Sequence, residues 1–156
     1  MKARSTIAIG VLCALVGSLV FVSMARGSDH RRLRATLDGD NEVCAVANCN
    51  DPDGTGAAVV RMDPANDRIC FTIRWNRIGS PYAAHIHRGA AGEEGPVRVT
   101  LFTARNLSRS VRKIGGCALN VSDALMNQIL DHPRRFYVNV HTPRYEGGAI
   151  RGQLHQ

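Results

Sequence analysis

Three histidines carry the residue types and spacing most suited to chemistry. His85 and His87 stand two apart, with Ile86 between them. On a β-strand that spacing puts both imidazoles on one face and the isoleucine on the other. His141 closes a second alternating run, in which Val138 and Val140 take one face and Asn139 and His141 the opposite one. Arg151 and Gln153 share the polar face of a third run, opposite Ile150 and Leu154. If the last two runs pair as a hairpin, His141 lies directly or diagonally across from Arg151. With the first run alongside, three histidines and an arginine converge. Imidazole nitrogens suit zinc and copper, so His85, His87 and His141 form a candidate metal set. Arg151, Asn139 and Gln153 are the candidates for ligand contact or for support of the histidines. The ordinary alternative is that these histidines only hydrogen-bond neighbours such as Asn139 or Gln153 and hold the strand register. Direct binding of an anion or small ligand is a third reading. His132 and His155 are unplaced as a fourth ligand.

A catalytic set is missing. No nucleophile and no paired carboxylate stands beside the histidines in sequence, which points away from an enzyme. Glu93 and Glu94 fall in a glycine-rich loop and read as solvated loop charges.

The elements that must position these residues are short and mostly extended. Runs at 33–37, 57–62, 68–75, 82–88, 97–102, 110–117, 136–141 and 149–154 alternate or are apolar. Turn signals separate them, among them Asp51-Pro52-Asp53-Gly54 and Asp63-Pro64-Ala65-Asn66-Asp67. Ile69, Phe71, Ile73 and Trp75 share one face. One segment, 122–131, has helical spacing, with Ser122 as N-cap and Pro133 as stop. The pattern predicts an all-β, antiparallel Greek-key sandwich or barrel, immunoglobulin-like or superoxide-dismutase-like, with one short helix.

Export is the expected destination. Lys2 and Arg4 precede an uncharged, largely apolar run over 7–22, and small residues follow before Arg26-Gly27. This is the layout of a secretory signal peptide over 1–27, leaving a domain over 28–156. An uncleaved anchor helix is the rival reading, and the run is short for a membrane span of about 20 residues. The four cysteines beyond the leader, Cys44, Cys49, Cys70 and Cys117, read as a disulfide framework in an oxidising compartment. Four cysteines allow three pairings. The favoured one joins Cys44 to Cys49 within a single loop and Cys70 to Cys117 between distant strands. A zinc site at the cysteines is disfavoured, because no C-x-x-C pair is present.

The chain of 156 residues has a net charge of +7, or +5 once Lys2 and Arg4 are set aside. Its arginines are scattered rather than clustered and Trp75 is the single tryptophan, so nucleic acid is not an expected partner. The expected partner is an extracytoplasmic protein or a small ligand, with a membrane only through the leader if it is retained.

Three blocks resemble the chordin-domain (CHRD) family. The first is Leu37-Asp38-Gly39-Asp40-Asn41-Glu42-Val43, followed by Gly54-Thr55-Gly56-Ala57-Ala58. The second is Ala84-His85-Ile86-His87-Arg88-Gly89, followed by Gly95-Pro96-Val97. The third is Tyr137-Val138-Asn139-Val140-His141-Thr142, followed by Gly148-Ala149-Ile150-Arg151-Gly152-Gln153-Leu154. The order matches the family's, but Cys44 and Ala45 stand where members usually carry prolines, and Ala149 where they carry an acid. The resemblance implies a single exported β domain with no established catalysis. Chordin's growth-factor antagonism does not transfer to one copy without its cysteine-rich modules. The His-x-His strand is also similar to the copper-binding strand of Cu/Zn superoxide dismutases, which makes a copper or zinc redox domain the alternative to a non-catalytic binding or structural module. In that likeness Arg151 matches a substrate-guiding arginine in type.

Overall fold

The computed structural model describes residues 31–43 and 49–156. The expected signal segment and Cys44 lie outside the described residues. Within them the chain forms eight strands and one α-helix. The strands are β1 (Arg32–Asp38), β2 (Thr55–Asp63), β3 (Arg68–Asn76), β4 (Ala83–Arg88), β5 (Val97–Thr103), β6 (Lys113–Leu119), β7 (Phe136–Thr142) and β8 (Tyr145–Gln153). The helix α1 spans Asp123–Asp131. Ser122 caps it by accepting from the Leu125 amide at 3.4 Å.

All pairings are antiparallel, in the order β5-β4-β7-β8-β1-β2-β3-β6. The two edge strands, β5 and β6, approach each other, so the sheet curls into a nearly closed barrel. Around it β4, β5 and β6 follow in sequence and β7 returns beside β4, which is a Greek key. The predicted all-β Greek-key class with one helix is therefore the observed one. Of the described helices, none is long and apolar enough to cross a membrane.

Period-2 alternation turns one side of each strand into the barrel. Leu33, Ala35 and Leu37 of β1, Ala58, Val60 and Met62 of β2, and Ile69, Phe71, Ile73 and Trp75 of β3 meet there. Ala84 and Ile86 of β4 and Val138 and Val140 of β7 complete the other half, and Met126 and Ile129 of α1 join the same core. Each such side chain contributes roughly 1.5–3 kcal/mol on burial, which outweighs the modest intrinsic preference of any one strand. Cys70 and Cys117 face each other across β3 and β6 and form a disulfide, as expected. Cys49 is also disulfide-bonded.

Two boundaries differ from the sequence reading. The sixth strand starts at Lys113 rather than 110, because Arg112 closes a turn on the Arg109 and Val111 carbonyls. The last strand starts at Tyr145 rather than 149. Val140 pairs with Ile150 and Thr142 with Tyr145, so β8 bulges between these pairs opposite His141. Gly148, at φ 150°, belongs to this bulge.

Candidate metal centre

His85 and His87 project outward from β4, and His141 projects from the same side of β7. β4 and β7 pair in register, with His85 opposite Asn139, His87 opposite Tyr137 and Ala83 opposite His141. The imidazoles therefore sit on one outer face of the barrel. Each offers one nitrogen, and the three nitrogens lie within 4.8 Å of one another. His85 Nδ1 is 3.0 Å from His141 Nε2. Two nitrogens on one tetrahedral zinc, at bonds of about 2.0–2.1 Å, are about 3.4 Å apart. The widest pair must draw in by roughly 1.4 Å, which requires side-chain rotation on metal binding.

The tautomers follow from the partners. His87 Nδ1 is 2.9 Å from the Gly95 carbonyl oxygen, and His141 Nδ1 is 2.8 Å from that of Glu146. A carbonyl only accepts, so both Nδ1 atoms carry the proton and both Nε2 atoms present lone pairs. This is the outer-shell arrangement that orients metal-bound histidines. The β8 bulge supplies the Glu146 carbonyl, which a regular hairpin would have tied into the ladder. His87 Nε2 is buried and has no hydrogen-bond partner among the described residues. His85 donates from Nδ1 to His141 in the metal-free state. Moving that proton to Nε2 would free Nδ1 as a ligand with no net proton release.

Burial keeps the cluster neutral. The His85 pKa is lowered to about 4, first by burial and then by His141 and His87. Burial also lowers the pKa of His87 and of His141, against the opposing effect of their carbonyl partners. Lone pairs are thus available well below neutral pH.

Among the described residues, none of the other predicted ones hydrogen-bonds a histidine, although Arg151 is near enough to add to burial in lowering the His87 pKa. Arg151 is 2% exposed and faces Asn139 across β7 and β8. Its Nη2 donates to the Ala90 and Glu93 carbonyls at 2.8 Å each, and its Cζ lies 3.4 Å from the Tyr137 ring centre. Gln153 donates to the Gly89 and Arg134 carbonyls. These two residues fasten the loop 89–96 over the face. Asn139 donates to Glu42 Oε2 at 3.1 Å, so neither amide serves the histidines. Glu93 and Glu94 are exposed, as loop charges are. His132, at the end of α1, and His155 lie outside the cluster.

Three further residues belong to the site and were not singled out in the sequence. Tyr137 stacks on His87 with ring centres 4.8 Å apart, and its hydroxyl accepts from the Gly95 amide at 3.3 Å. The period that paired Asn139 with His141 extends back to Tyr137 and could have found it. Glu42 reaches the face from the loop after β1, and burial raises its pKa to about 8 against the pull of Arg151 and the Asn139 hydrogen bond. Gly148 leaves room for it, since a Cβ there would stand 2.5 Å from Glu42 Oε1 and 2.6 Å from Asn139 Nδ2. A lone glutamate in a polar loop gives no signal of such burial.

No curated protein and no solved structure matches the chain at a significant level. The family model of the CHRD domain matches residues 33–154, from the start of β1 to the end of β8 and the whole described site between them; the chain belongs to the CHRD-domain family.

Proposed function

We propose that this CHRD domain is an exported, non-catalytic binding module that holds one copper or zinc ion at His85, His87 and His141. The carrying observation is the convergence of three imidazoles, each with one nitrogen within 4.8 Å of the others, two of them oriented by backbone carbonyls. Three imidazoles without a thiolate or carboxylate suit zinc and copper rather than magnesium or calcium. The cross-strand disulfide supports an oxidising compartment. A redox enzyme of the superoxide-dismutase kind has less support. Its substrate-guiding arginine would have to be Arg151, whose guanidinium is engaged by the Ala90 and Glu93 carbonyls.

A second reading takes the 3.0 Å contact of His85 with His141 as an end in itself, with the histidines serving only to fasten loops to the barrel. Metal analysis of the purified, dialysed protein separates the two. We expect one equivalent of copper or zinc per chain after exposure to either ion, and a lower melting temperature after chelation. His87→Ala should weaken retention by at least a hundredfold. Absence of stoichiometric metal, with thermal stability indifferent to chelator, would leave the structural reading standing.

A further inference from the structure

A second cleft lies at the end of the barrel where the β3–β4, β5–β6 and β7–β8 connections meet. Its volume is about 580 Å³, within the usual range of small-ligand sites. Arg77 reaches it from the connection between β3 and β4, Arg109 and Arg112 from that between β5 and β6, and Arg144 from the turn between β7 and β8. Among the described residues none of these guanidiniums has a carboxylate within 4.0 Å, the ion pair found there joining Arg68 to Asp63, while Arg112 also donates to the Arg109 and Val111 carbonyls. Asp51 and Asp53 also line the cleft, which leaves it a formal excess of two positive charges.

Two hydroxyls complete the lining. Ser80 Oγ is buried and has no hydrogen-bond partner among the described residues. Thr142, itself buried, accepts from the Tyr145 amide at 3.3 Å through Oγ1. A buried hydroxyl left unsatisfied is costly, and such atoms ask for a partner. Arg77 adds an independent sign. It holds φ at 57°, a left-handed conformation that a bulky side chain avoids and that strained functional positions often show.

We infer that this cleft binds a phosphate group, either as free inorganic phosphate or as the monoester of a small molecule. Guanidinium forks arriving from three separate connections surround a tetrahedral dianion better than a planar carboxylate, which a single fork satisfies. The inference is independent of metal at the histidines.

Calorimetric titration with sodium phosphate and with glycerol 3-phosphate tests it. Saturable 1:1 binding of either probe is expected. Preference for the first marks free phosphate and preference for the second an ester. Arg77→Gly together with Arg144→Ala should weaken that binding at least tenfold. Arg77→Gly alone should not lower the melting temperature, since glycine adopts positive φ without strain. His87→Ala should bind phosphate as the wild type does. The inference fails if neither probe saturates. It also fails if Arg61→Ala with Arg98→Ala, outside the cleft, weakens binding as much as the cleft pair. Loss of binding in His87→Ala would overturn it too, by placing the phosphate on a metal at the histidines.

Discussion

The two halves of the barrel use their outer faces differently. In the half made of β1, β2, β3 and β6, the outward residues of β3 (Arg68, Cys70, Thr72, Arg74 and Asn76) are partly or fully exposed. In the half made of β5, β4, β7 and β8, every residue of β7 is buried, outward ones included. Tyr137 and Asn139 there are held to Gly95 of the loop 89–96 and to Glu42, although their neighbours Val138 and Val140 face the core. The first half is an ordinary one-sided sheet held by core burial and one disulfide. The second has a core on one side and a buried polar layer on the other. Burial of polar groups is costly unless they are hydrogen-bonded. A polar face that the chain deliberately covers is therefore the stronger mark of a site.

The largest expected effect tests the plain half. The Cys70–Cys117 bridge has a sequence separation of 47. Replacing both by serine should cost about 4 kcal/mol by the loop-entropy relation. Denaturant unfolding measures the loss, and metal binding by the fraction that stays folded should be unchanged. A parallel loss of metal affinity would show that the two halves are not separable.

A somewhat smaller effect is expected from the covered half. Arg151→Ala removes the donor to the Ala90 and Glu93 carbonyls and the cation stacked on Tyr137. The cost should be about 3 kcal/mol, as for other broken buried networks. Hydrogen exchange should show the loop 89–96 opening first, with β2 and β3 still protected. Uniform deprotection would mean that the loop is not a separate cover.

A pH dependence with two opposing limbs is expected as well. His85 titrates near 4 when folded and near 6.5 when free, so the unfolded chain takes up its proton first as pH falls. Stability of the metal-free domain therefore declines on going from pH 6.5 towards 4. Glu42 titrates near 8 when folded and near 4.5 when free, so the native state holds the extra proton between these values. Its contribution is lost as pH rises from 4.5 through 8. Glu42→Gln should flatten the alkaline limb alone, giving a higher melting temperature than wild type at pH 8.5 or so and little difference at pH 4 or so. Loss of the acidic limb in this variant would assign that limb to the wrong group.

Much of the barrel was legible in the residues. The alternation of Ile69, Phe71, Ile73 and Trp75 gave both strand and face, because a strand in contact with a core on one side must repeat every second residue. Ser122 and Pro133 bracketed α1 because an N-cap and a helix breaker act locally. His85 and His87 were placed on one face for the same period-2 reason. The start of β8 was misplaced because the bulge opposite His141 is a property of two strands together. Arg151 was expected beside the histidines, since its strand face was right. Its long side chain instead swings over Tyr137 to the carbonyls of a loop 61 and 58 residues earlier in the chain.

By itself, then, the sequence determined the β class, the single helix and the shared polarity of His85, His87 and His141. Each of these follows from local periodicity or capping, which need no knowledge of distant neighbours. Only the tertiary structure decided which nitrogen each histidine presents, where Arg151 spends its donors, and that Glu42 lies buried over the same face. Those outcomes depend on carbonyls and loops brought together from remote parts of the chain. Their energies arise from burial and hydrogen bonding that exist only once the barrel has closed.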